Sequence, residues 1–188
     1  MVDYQYLIYS KYCSSLASVR ILNSVTSIEK CAFQRCTSLT SITIPNSVTY
    51  MGRDVFSDCK GLSSVIIGNG LKTIGGWPFD GCESINHIYC YAEDVPNLGG
   101  YYSSYYNSYV EKATLHVPAI SLDLYKAKGP WKFFGEIIAL TDSDPNPTGI
   151  ISIEASDSEG AIYDLKGSRV EHPSKGLYIK NGKKYVVK

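Results

Sequence analysis

Apolar and polar positions along this chain recur on a fixed interval. Cys13, Cys36, Cys59 and Cys82 stand 23 residues apart (36 − 13, 59 − 36, 82 − 59). Leu16, Leu39, Leu62 and Ile85 follow each cysteine, then Val19, Ile42, Val65 and Ile88, and then Ile21, Ile44, Ile67 and Cys90. Phe33, Phe56 and Phe79 precede three of the cysteines by the same step. Within one interval, Leu39 to Ile44 is β-branched, alternates apolar Ile42 and Ile44 with polar Ser41 and Thr43, and ends at Pro45. That alternation predicts a short half-buried strand. Asn46-Ser47 and Gly68-Asn69-Gly70 turn the chain, because Asn and Gly tolerate left-handed backbone. Val48 to Phe56 then runs back along the other side, with the phenylalanine filling the interior. One such coil buries a single face, so the core must form by stacking coils into a parallel sheet.

A period of this length with apolar residues in fixed phase is the mark of a leucine-rich solenoid. The stretch from Ile44-Pro45-Asn46-Ser47-Val48 through Met51-Gly52, Val55-Phe56, Cys59 and Leu62 resembles the BspA-type leucine-rich repeat of bacterial surface proteins. Met51 for Ile, Val55 for Ala, and Trp77-Pro78 before Phe79 are the departures. The first coil is degenerate, with Gln5 and Ser10 in apolar columns. The expected fold is mainly β: a leucine-rich-repeat solenoid of 23-residue coils and a parallel sheet, with a short helical C-terminal cap and a small C-terminal β hairpin domain. The expected divisions are a solenoid with cap over 1–140 (coils to about 118, cap 119–140), a linker over 141–149 broken by Pro145 and Pro147, and a β domain over 150–188.

The cysteines recur at the core period, and Cys is among the most buried residue types. We therefore expect the ladder to be a column of buried thiols, neither a disulfide framework nor a zinc site. Cys90 takes a buried isoleucine position and also reads as core. Cys31 replaces Asp54 and Trp77, and the sequence leaves its state open.

Past Cys90 the period loosens. Thr114-Leu115-His116-Val117-Pro118 repeats the strand-and-proline ending after an insertion. Within it, Tyr101, Tyr102, Tyr105, Tyr106 and Tyr109 would share one face of a helix. Two readings compete. In one, Tyr106 takes the phenylalanine column and the others pack on the last coil, which otherwise lacks apolar fill; in the other, the rings form an exposed platform. Ser121 to Lys128 reads as a helix, with Ser121 as N-cap and Gly129-Pro130 as its stop. Trp131, Phe133 and Phe134 then close the solenoid end. The resemblance implies the same closing segment. In the tail, Asn181-Gly182 between Leu177-Tyr178-Ile179 and Tyr185-Val186-Val187 signals a hairpin. Together with Tyr163-Asp164-Leu165, Gly167 and Arg169-Val170, the tail is similar to the C-terminal β domain of type IX secretion cargo, although shorter.

Composition narrows the function. Among 188 residues, 18 basic and 18 acidic side chains cancel, so no field steers nucleic acid. No run of about 18 apolar residues offers a membrane span. Met1-Val2-Asp3-Tyr4 lacks the basic start and apolar core of an export signal, and we expect the signal and earlier coils to lie outside this chain. The resemblance implies a secreted or outer-surface location and a non-catalytic, adhesin-like module. Its partner would be an extracellular protein or glycan, with no cofactor, bound through the exposed solenoid face. The alternative is a structural spacer whose binding part lies elsewhere. No Ser-His-Asp constellation, phosphate loop or base-activated cysteine supports an enzyme, so no catalytic residue is assigned. The outward positions form two columns: Arg20, Thr43, Ile66, Tyr89 and His116, beside Ser18, Ser41, Ser64, His87 and Thr114. The later coils are the aromatic ones. The candidate ligand-binding residues are therefore His87, Tyr89 and His116, with Tyr101, Tyr102 and Tyr105 of the insertion. Two histidines without a carboxylate fall short of a metal site on sequence alone, and His172 in the tail belongs to neither column. If Phe56 fills a coil interior, Phe56→Ala will cost about 3–5 kcal/mol in urea unfolding; a near-neutral result would mean the phase is misread.

Overall fold

The computed structural model describes residues 13–76, 78–99, 109–145 and 147, and the backbone of tail strands at 150–152, 162–163, 169–170, 176–180 and 183–187. The degenerate start with Gln5 and Ser10, Trp77, the tyrosines 101, 102, 105 and 106, His172 and the Asn181-Gly182 turn lie outside the described residues. The chain divides into two compact units, Met1–Leu140 and Thr141–Lys188.

In the first unit the strands form two parallel sheets. One comprises β2 (Ser41–Ile44), β4 (Ser64–Ile67), β6 (His87–Cys90), β8 (Thr114–Val117) and β9 (Glu136–Ala139), side by side in that order. The other comprises the shorter β1 (Ser27–Ile28), β3 (Tyr50–Met51), β5 (Thr73–Gly75) and β7 (Asn97–Gly99). Successive coils pair in register: Ile42 with Val65 and then Ile88, and Ile44 with Ile67 and then Cys90. These residues are buried while their neighbours Ser41, Thr43 and Ser64 face outward. The pleat thus sorts the alternating sequence onto two faces.

Between the sheets runs the segment of phenylalanines and cysteines. Phe33, Phe56 and Phe79 stack nearly parallel, with centroids 5.5 and 5.8 Å apart. Their backbones bond from coil to coil as well, Phe33 N–H to Val55 O and Phe56 N–H to Pro78 O, both at 2.9 Å. The turn into each cysteine passes through left-handed backbone at equivalent positions: Cys31 and Asp54 at φ 60° and 56°, then Arg35, Asp58 and Gly81 at 60°, 60° and 70°. Gly52 and Gly75 sit where coils press closest. A Cβ at Gly52 would overlap the backbone of Lys30, and one at Gly75 that of Gly52 and Arg53, which explains why glycine follows Met51 and Ile74 in the repeat.

The structure revises several sequence expectations. Ser18 and Arg20 lie in no strand, so the sheet begins at β2, not in the first coil. The ladder is not a uniform column of thiols: Cys13 and Cys36 form a disulfide, with Cα atoms 4.5 Å apart. Parallel neighbours in a stack lie close enough to bond, a proximity that outweighs their shared direction. Cys59 and Cys82 remain thiols and donate to Phe33 O and Phe56 O at 2.9 and 3.0 Å. Cys31 is a half-buried free thiol. The insertion also carries β7, which adds Leu98 to the second sheet opposite Ile74.

The cap differs in how it is fastened. Helix α1 (Leu122–Ala127) is one short element, and Ser121 precedes it without a side-chain cap bond. Instead Ser121 Oγ donates to Glu93 O. Tyr125 OH donates to Ala92 O at 2.8 Å, Lys128 Nζ to Val95 O at 2.9 Å, and Trp131 Nε1 to Pro96 O at 3.2 Å. Lys72 O, the counterpart of Pro96 O one coil earlier, accepts the backbone N–H of Asn97; at the last coil the Trp131 indole supplies the donor in its place. Tyr125 and Trp131 are fully buried, and their rings meet edge to face. Burial, with Cys90 Sγ beside its hydroxyl at 3.3 Å, pushes the Tyr125 phenol well above its ordinary range. The segment then ends in β9, a fifth sheet strand where the sequence suggested only a lid.

In the second unit five strands form one sheet: β10 (Ile150–Ser152), β11 (Ile162–Tyr163), β12 (Arg169–Val170), β13 (Gly176–Lys180) and β14 (Lys183–Val187), in the order β10-β14-β13-β11-β12. β13 and β14 are antiparallel, with Lys180 opposite Lys183, and β10 joins β14 in parallel.

Tyr125→Phe keeps the packing but strips the donor from the buried Ala92 carbonyl, so it should destabilise the chain by about 1–3 kcal/mol. Chemical unfolding measures this. No change would mean that the cap is held by packing alone.

Candidate functional site

The outward face of the five-stranded sheet changes character along its length. Its first strands offer Ser41, Thr43, Ser64 and Ile66; the next two offer His87, Tyr89, Thr114 and His116. Tyr89 lies opposite His116 and His87 opposite Thr114, the two columns expected from sequence. Beyond them β9 places Glu136 opposite Thr114 and Ile138 opposite His116. The sequence reading missed this neighbour because it ended the sheet at Pro118.

Three of the candidate residues form one cluster. The Tyr89 and His116 rings stack with centroids 4.3 Å apart. His87 closes the group at 6.0 Å from Tyr89 and 5.4 Å from His116. Nδ1 of His87 and Nε2 of His116 are 3.2 Å apart. His116 is 8% exposed despite facing outward, covered by these neighbours, whereas His87 is open to solvent. Such a surface combines flat apolar faces with polar edges, and Tyr in particular supplies large contact area at little entropic cost. Tyr101, Tyr102 and Tyr105 lie outside the described residues, so only Tyr109, about two-fifths exposed, represents that series here.

Cys59 and Cys82 are fully buried, and each gives its thiol proton to a backbone carbonyl. Burial raises Cys90. A thiol without solvent access is a core residue and cannot act as a nucleophile. Among the described residues no group of three His, Cys, Asp or Glu side chains is placed to hold a metal, and no helix is long and apolar enough to cross a membrane.

The family model of the BspA type leucine rich repeat region matches the chain in six copies over residues 8–123. A search of curated proteins finds no match. Leucine-rich repeats of this type are commonly adhesion or protein-binding modules. The interval, the two stacked sheets and the family match agree: this chain belongs to the BspA-type leucine-rich repeat family.

Proposed function

We propose that the chain is a non-catalytic recognition module, secreted or held at the outer cell surface, that binds an extracellular protein or glycan through the outward sheet face. The observation that carries this reading is the His87–Tyr89–His116 cluster. On a solenoid the sheet face is the usual binding surface, and here the only stacked aromatic and imidazole group among the described outward strand positions lies on β6 and β8. A sugar ring would lie against Tyr89 and accept bonds from His87; a protein partner would bury the same patch. The Cys13–Cys36 disulfide agrees with an oxidising location outside the cell. In this reading residues 150–188 form the domain that anchors or sorts the chain, residues 141–149 link it to the solenoid, and Tyr101, Tyr102 and Tyr105 add to the recognition residues.

A panel of extracellular matrix proteins and a glycan array test this, with the intact chain beside a His87→Ala/Tyr89→Ala variant whose melting curve shows it folded. We expect saturable binding by the intact chain, weakened at least tenfold in the variant. Binding that survives in the variant would move the site off this face. No binding by the intact chain would leave the spacer as the better account.

A further inference from the structure

His87 and His116 are not direct cross-strand partners. Register sets His87 opposite Thr114 and Tyr89 opposite His116, so the histidines lie on a diagonal. A diagonal spans about 7–8 Å between backbones, within reach of two rings turned toward each other. Tyr89 stacks on His116 and fixes its plane, and the ring nitrogens come to 3.2 Å. With one proton between them this is a hydrogen bond. It is also close to the spacing that a shared metal would impose. Two nitrogens each 2.0–2.1 Å from a tetrahedral zinc ion stand roughly 3.3–3.4 Å apart, a difference within the tolerance of about 0.2 Å expected of a metal site.

We propose that Nδ1 of His87 and Nε2 of His116 form a two-histidine site for a divalent transition metal such as zinc or copper, with its remaining coordination positions open to solvent. Imidazole nitrogen selects these ions over calcium and magnesium, which take oxygen. The buried, stacked His116 supplies the rigid ligand and the exposed His87 the adaptable one. The metal takes the place of the shared proton, which moves to Nε2 of His87, so that each ring binds in its neutral form with its remaining nitrogen protonated. The open positions face outward, where water or a partner's carboxylate or imidazole would complete the shell. On this sheet face the nearest carboxylate in register is Glu136, on the next strand and diagonal to His116. This site does not depend on the recognition reading, and either can fail alone.

The test is calorimetric titration of zinc chloride and of copper(II) chloride into the full metal-free chain at neutral pH. A Cys31→Ser background removes the one free thiol that is not buried. The chain has three histidines, so His87→Ala, His116→Gln and His172→Ala cover them all, with circular dichroism to confirm the fold of each. We expect one equivalent of metal bound with micromolar affinity. Binding should weaken at least tenfold in His87→Ala and in His116→Gln, and hold in His172→Ala. His87→Ala removes an exposed side chain and is the variant least open to a folding artefact. Unchanged binding in that variant, loss only in His172→Ala, or no binding at millimolar metal would each overturn the proposal.

Discussion

Each coil of this solenoid is too short to satisfy its own backbone. Its strand groups bond to the strands of the neighbouring coils, and its phenylalanine segment bonds to the next phenylalanine segment. Because buried N–H and C=O groups must be paired, coils have to stack in step, and a constant length is the simplest way to keep them so. The other features follow. Side chains of one type fall into columns, the phenylalanine rings lie nearly parallel, and glycine appears wherever one backbone presses on another. Cysteines at the same phase come near enough that one pair, Cys13 and Cys36, is bonded.

The same constraint explains the ends. A stack that stops leaves carbonyls facing nothing. After the last full coil, Ser121, Tyr125, Lys128 and Trp131 reach back to the carbonyls of Glu93, Ala92, Val95 and Pro96. β9 then covers the outer edge of β8, which would otherwise be open to pairing with other chains. The cap keeps its own apolar residues Ile120, Leu124 and Phe133 on the outside, so its stability rests on the tethers and on Tyr125 and Trp131 beneath.

Much of this was legible because periodic columns are local facts. Ile42, Ile44, Phe56, Leu62 and Val65 repeat in phase and are all buried. The pairing of Tyr89 with His116 followed from matching Pro118 to Pro45 across the insertion. What escaped depends on tertiary geometry. Strands of two or three residues, such as Ser27–Ile28 and Tyr50–Met51, are too short to alternate visibly. Ser121 looks like a cap residue in isolation; only the position of Glu93 shows where its hydroxyl goes. The approach of His87 to His116 is a diagonal contact whose closeness depends on how the rings turn, and the bond between Cys13 and Cys36 on how tightly two coils press.

The central claim is that register between coils, more than any single side chain, holds the fold and presents the outward face. Removing one whole interval, residues 36–58, joins Arg35 to Cys59 in phase. Removing one residue more or one fewer joins the same coils out of phase. Thermal unfolding followed by circular dichroism should give a cooperative transition with retained β signal for the in-phase chain, and none for the other two. Equal loss of structure in all three would contradict the account.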